Sequence, residues 1–206
     1  LSGIAFTIVL NGSIKDENGS PITVDENRLY AYGSDMGRKL ERYIRTLSNL
    51  EDIPVYIALY STQSLDASLP GHYIGEGLFD GRSGQFSQNS ESWFIFPSSA
   101  AANFDPKTDA SFNRFKAEVA DFVPDALGVI AQGRYEEDKL NHLIIEIQLQ
   151  AKTYTEIYAL SYLVMDLLNQ FETGDYDIIV KINDIDENLA LISRSEDGKL
   201  KLIINQ

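Results

Sequence analysis

The 206-residue sequence predicts an α+β protein made of two tandem β-α-β-β-β repeats, with helices packed on a mixed or antiparallel sheet. Three observations lead there. A strand–helix–strand run in the first half recurs in the second at a nearly constant spacing. Each run is followed by short alternating segments that read as antiparallel hairpins. The composition, 44% hydrophobic and 23% charged, is that of a globular chain with a sizeable core.

In chain order, Ile4 to Leu10 alternates as a strand, and Asn18-Gly19 joins Ser13–Lys15 to Pro21–Val24 as a short hairpin. Apolar residues at Met36, Leu40, Tyr43, Ile44, Leu47 and Leu50 then predict a helix over Ser34–Leu50, with Ser34 or Asp35 as its N-cap. Ile53 to Tyr60 reads as the next strand, and Tyr73–Gly77 and Ser92–Phe96 complete the first repeat. The stretch between them, Phe79 to Glu91, is polar and rich in Gly, Ser and Gln, and is expected to be a long loop.

A linking helix is capped by Asp109 and carries Phe112, Phe115, Val119 and Phe122 on one face; a strand from Leu127 to Tyr135 follows. The second run starts with Leu143, Ile145, Ile147 and Leu149 in alternation. A helix capped by Thr153 or Thr155 follows, with Leu160, Val164, Leu167, Leu168 and Phe171 on its apolar face and Gly174 closing it. Shifting Met36, Leu40, Tyr43, Ile44 and Leu47 by 124 positions lands on those five residues. The strand Ile178, Val180, Ile182 answers Val55, Ile57, Leu59 at a shift of 123, and the opening strands match at 139. This is the signature of an internal duplication, which assigns residues 1–105 to the first repeat and 106–206 to the second. Leu189–Arg194 and Lys199–Ile204 are the last two strands.

With 17 basic and 31 acidic residues the net charge is -14, and the acidity is spread along the chain. Such a body repels nucleic-acid backbones and anionic membrane surfaces, so neither is expected as a direct partner. There is no cysteine, which removes disulfides, thiolate metal sites and cysteine nucleophiles. No apolar run approaches the ~20 residues of a transmembrane helix. The chain opens at Leu1, and any targeting segment is expected upstream of it.

The two histidines, His72 and His142, lack metal-site spacing and read as structural residues near strand starts. Gly75-Glu-Gly77-Leu-Phe-Asp-Gly81 misses the dinucleotide spacing and opens no helix. The adjacent acids Glu136-Glu137 cannot converge as a glycosidase pair must. Phe96-Pro-Ser98-Ser99-Ala lacks the nucleophile elbow of a serine hydrolase. No catalytic residue, metal site or cofactor is therefore called for. Trp93, Phe96, Ser98 and Ser99 are the candidates for a binding edge, with core packing the favoured reading of the two aromatics and a strand end that of the two serines.

The runs Asp52-Ile-Pro-Val-Tyr-Ile-Ala-Leu-Tyr60, Leu69-Pro-Gly71 and Pro97-Ser-Ser-Ala-Ala-Ala-Asn-Phe-Asp105, with Ala190-Leu-Ile-Ser193 near the end, resemble the CamS sex-pheromone lipoproteins of Gram-positive bacteria. The resemblance spans nearly the whole chain and implies two related repeats. It also implies a precursor whose short pheromone peptide is cut from the lipoprotein signal segment, leaving a body anchored at the cell surface through a lipidated cysteine. This chain is then the extracytoplasmic body. It would be non-catalytic, would meet the membrane only through an anchor outside these residues, and would bind a protein, peptide or envelope ligand. The groove between the repeats or the Phe79–Glu91 stretch would serve as its surface. The runner-up is an unrecognised cell-envelope hydrolase.

The stretch Asp184-Ile-Asp186-Glu-Asn188-Leu189 places oxygen ligands two apart, as a calcium loop begins. Leu189 stands where the sharp turn needs Gly, Ser195 where a bidentate Glu belongs, and strands flank it instead of helices. The expected element is a hairpin tip. Calcium titration should give no binding heat and no change in melting temperature; a saturable heat lost on Asp184→Asn would reverse the reading.

Overall fold

The computed structural model describes every residue except Leu1, Asp16, Arg82, Asp125, Ala151, Lys152, Thr173, Asp175, Asp186 and Gln206. Two units form, Leu1–Ser92 with Glu136–Asp138, and Trp93–Tyr135 with Lys139–Gln206. The division at Ser92 lies upstream of the Asp105 boundary read from sequence, because the strand containing Trp93 joins the second sheet.

The first unit starts with β1 (Ile4–Leu10) and the small hairpin β2 (Ser13–Lys15) and β3 (Pro21–Thr23), whose turn uses Gly19 at φ +83°. Helix α1 (Glu26–Ile44) crosses to β4 (Val55–Ser61), which lies parallel to β1 with Ile4 opposite Val55. Next come β5 (His72–Asp80) and β6 (Ser83–Gln88), giving the order β1-β4-β5-β6 with the last two pairings antiparallel. The core is Leu10, Leu29, Ile44, Val55, Ile57, Leu59, Ile74, Phe79 and Phe86.

Two expectations are corrected here. Helix α1 begins at the Asp25 cap, whose carboxylate accepts from the Arg28 N–H at 3.3 Å, well before Ser34. Its buried stripe is Leu29, Gly33, Gly37 and Ile44, whereas Tyr43 is 63% exposed. Two of the four buried positions are glycines, so apolar periodicity could not mark them. A Cβ at Gly33 would come within 2.8 Å of Leu10 Cδ1, and one at Gly37 would overlap the Phe86 ring. The glycines thus let the helix backbone lie close on the sheet. Second, most of Phe79 to Glu91 is strand: Ser83–Gln88 is β6, paired with β5, and Phe86 points into the core against Phe79, ring centroids 5.3 Å apart. One apolar residue in six gave β6 no alternating signal.

The second unit takes β7 (Glu91–Phe96), α2 (Ser99–Phe104), α3 (Pro106–Phe122), β8 (Gly128–Glu136), β9 (Lys139–Gln148), α4 (Tyr154–Leu167), β10 (Asp177–Asn183), β11 (Asn188–Arg194) and β12 (Leu200–Ile204). The sheet order is β12-β11-β10-β9-β8-β7. Strand β9 lies parallel to β10 with Leu143 opposite Ile178, and β11 and β12 follow antiparallel. Each unit's larger sheet therefore holds one parallel pair, β1–β4 or β9–β10, continued by two antiparallel pairings. The acidic pair Glu136-Glu137 sits at the β8–β9 turn, where Glu137 and Asp138 take φ of +50° and +62°.

Helix α3 is capped by Asp105 rather than Asp109, with Pro106 in its first turn. The Asp105 carboxylate accepts from the Thr108 N–H at 3.0 Å and the Tyr135 hydroxyl at 2.9 Å. Burial works against its ionisation, but these bonds outweigh it and lower its pKa. Phe112, Phe115 and Val119 are buried as predicted; Phe122 is exposed at the helix end. Helix α4 starts at Thr153 with a capping box to Glu156. It ends at Leu167 in a 3-10 turn over Leu168–Gln170, ahead of Gly174.

On β11, Ala190, Ile192 and Arg194 alternate inward, so an arginine occupies a core position at 3% exposure. Its guanidinium donates to the carbonyls of Leu168 at 2.8 Å, Phe171 at 3.1 Å and Glu172 at 3.0 Å, and lies 5.4 Å from the Tyr176 ring centroid. These carbonyls follow the end of α4, where backbone acceptors run out of helical partners.

Two outcomes follow from this packing. Arg194→Met should lower the unfolding free energy by about 3 kcal/mol in urea melts, since buried acceptors are left unpaired, with Arg194→Lys in between. A Met variant as stable as the parent would refute the role. Gly37→Ala should destabilise by about 1 kcal/mol, overpacking against Phe86 exceeding the helix-propensity gain. Combined with Phe86→Leu, the same change should cost less than alone; additive losses in the double-mutant cycle would show that the two positions do not meet.

Candidate functional site

The first unit brings polar groups together where the parallel strands end. Strands β1 and β4 finish side by side, Leu10 opposite Ser61. The Thr62 N–H donates to Leu10 O at 3.0 Å, and the Gly12 N–H donates to Thr62 Oγ1 at 3.2 Å. The first turn of α1 lies at the same end, where ligands of α/β sheets are commonly bound. His72, the first residue of β5, places Nδ1 3.1 Å from Gln63 O and Nε2 2.8 Å from the Glu26 carboxylate. Both ring nitrogens thus face groups of the fold itself rather than a serine. His72 works as a latch between α1, β5 and the loop after β4.

In the second unit, α4 shows two usable surfaces. Tyr154, Tyr158 and Tyr162 stand four residues apart on one flank, exposed, with ring centroids 5.0 and 6.5 Å apart from one to the next. A hydrogen bond with Tyr154 raises the Tyr158 pKa. The other flank borders a cleft of about 230 Å³ lined by Phe122, Val123, Pro124, Leu149, Glu156, Ala159 and Leu160. Glu156, the titratable residue of that lining, accepts from Thr153 N at 2.8 Å and Thr153 Oγ1 at 2.6 Å in the capping box. These surfaces offer stacking and apolar contact.

The candidates read from sequence do not converge. Phe96 is 0% exposed and packs on Phe112 at 6.1 Å between centroids, because the β7 pleat turns Phe94 and Phe96 inward. It cannot form a binding edge. Ser98 is the N-cap of α2, its Oγ accepting from the Ala101 N–H at 3.0 Å, and Ser99 is the exposed first residue of that helix. Trp93 is half-buried on β7. His142 sits in β9 opposite Asp177, and burial lowers its pKa against the opposing pull of Asp177. In the calcium-like stretch, Asp186 lies outside the described residues. Asn188 turns its amide onto Asn183 Oδ1 at 2.9 Å and Ala190 O at 3.3 Å, closing the β10–β11 hairpin. Sequence reading missed the tyrosine stripe, although its spacing of four was visible, because the apolar face of the same helix claimed the periodicity.

The fold is similar to two solved structures. One is the C-terminal domain of the sex pheromone staph-cAM373 precursor from Staphylococcus aureus, at TM-score 0.83 and 20% identity, with 97% of this chain and 63% of that chain covered. The other is the sex pheromone precursor from Lactobacillus salivarius subsp. salivarius UCC118, at TM-score 0.81 and 20% identity, covering 97% of this chain and 61% of that one. This chain therefore spans less than two thirds of either. No curated protein matches the sequence. The family described as CamS sex pheromone cAM373 precursor matches residues 1–199. With nearly all of its length accounted for by that match, this chain belongs to the CamS sex pheromone cAM373 precursor family.

Proposed function

We propose that this chain is the extracytoplasmic body of a lipid-anchored surface protein and that it acts by binding a protein, peptide or envelope ligand rather than by catalysis. Family membership supports the surface location, since the relatives are named as pheromone precursors. The observation that carries the binding reading is the exposed stripe Tyr154, Tyr158 and Tyr162. Tyrosine supplies large contact area at a small entropic cost, and exposed aromatic rows of this kind are characteristic of recognition surfaces. The hydrolase alternative has less support, since the nitrogens of His72 face Gln63 O and the Glu26 carboxylate rather than a serine.

Anchoring is tested by feeding source cells an alkynyl fatty acid and treating them with external protease. The protein should be labelled and cleaved; an unlabelled, protected protein would overturn the location. Binding is tested by placing a photo-crosslinking phenylalanine analogue at Tyr162 and, as a control, at the exposed Leu65. A discrete adduct at Tyr162 alone is expected. Equal labelling at both positions, or none, would remove the stripe as the binding surface.

A further inference from the structure

Helix α1 carries Arg38 and Arg42 in its last two turns, and Arg45, its C-cap, follows three residues on along the same face. With Glu41, Phe79 and Gly84 they line an open pocket of about 370 Å³, the size of a small-molecule site. Three arginines in one pocket are unusual in a chain with a net charge of -14. Their environments differ. Arg45 is committed to the fold: Nε donates to the Glu41 carboxylate at 2.8 Å, Nη1 to Leu50 O at 3.1 Å and Nη2 to Phe79 O at 3.2 Å. Glu41 is thereby neutralised within the pocket it lines.

Arg38 and Arg42 are exposed, and among the described residues neither makes a hydrogen bond or ion pair. Like charges one turn apart repel, which costs the isolated helix stability. The helix dipole favours cations only in the last turn, so it accounts for Arg42 and Arg45 but not for Arg38. An anion seated between the two guanidiniums supplies the missing partner. One guanidinium satisfies the two oxygens of a carboxylate; two of them, with five N–H donors each, suit a group with three or more acceptor oxygens. Phosphate has that geometry, and arginine is the side chain best shaped to receive it.

We propose that the pocket of Arg38, Arg42 and Arg45 binds a phosphate ester, held by Arg38 and Arg42 while Arg45 fixes the pocket wall. The phosphate can come from a soluble phosphorylated molecule or from an anionic lipid headgroup, and two experimental arms separate these sources. Glycerol 3-phosphate is titrated calorimetrically at low ionic strength, with citrate and sulfate as competitors. Vesicle flotation compares phosphatidylglycerol–phosphatidylcholine vesicles with phosphatidylcholine alone.

The expected result is saturable binding in one arm, weakened about ten-fold or more by Arg38→Gln with Arg42→Gln, a change of more than one decade in Kd. Arg38→Lys should fall between, since it keeps the charge and loses the fork. Both positions are exposed, and unchanged thermal unfolding of the double variant certifies that the fold is intact. Binding only to anionic vesicles assigns the headgroup source; binding of glycerol 3-phosphate assigns the soluble one. No binding in either arm, binding indifferent to the double variant, or equal binding of citrate or sulfate would overturn the proposal.

Discussion

A helix that crosses between parallel strands must stop beside the sheet, where its last carbonyls have lost their partners and little water reaches them. Everything in the second unit that follows α4 depends on how this is solved. The solution is Arg194, projecting from β11 and donating to three carbonyls beyond the helix end. Its positive charge also faces the negative end of the helix dipole. In the first unit an arginine bridges helix and sheet from the opposite side. There the arginine stands at the helix end itself: Arg45 follows the last residue of α1 and reaches across to the carbonyl of Phe79 on β5. Phe79 pairs with Val55 as Arg194 pairs with Ile178, so the two guanidiniums bridge corresponding strand positions from opposite ends.

The helices fill their sheets differently although the strand path is shared. Helix α4 presents Ile157, Leu160, Val164 and Leu167, bulky side chains that hold the helix off the sheet. Helix α1 presents Gly33 and Gly37, and the volume missing there is supplied by Phe86 from β6. Small residues on the helix and an aromatic on the added strand together restore close packing. This is why β6 belongs to the core of its unit despite a polar sequence.

The chemistry-bearing residues divide along the same lines. His72, Ser98 and Glu156 complete their bonding inside the fold, as latch, cap and capping box. Tyrosines on α4 and arginines on α1 face outward, side chains suited to recognition.

The sequence by itself determined the elements whose signal is local. The alternation of Leu143, Ile145, Ile147 and of Ile178, Val180, Ile182 marked β9 and β10, and Thr153, one of two cap candidates with Thr155, marked the start of α4. Composition and order of elements gave the α+β class, and the Asp-Ile-Pro and Pro-Ser-Ser runs gave the family. Only the tertiary structure decided where α1 begins, that Ser83–Gln88 is a strand, that Phe96 faces the core, and that Arg194 does too. The physical reason is common to all four. A glycine carries no hydrophobic signal, a pleat's inward face is set by its neighbours, and a guanidinium finds its carbonyls 22 to 26 positions away. Such information lies in pairs of residues distant in the chain, and no single stretch contains it.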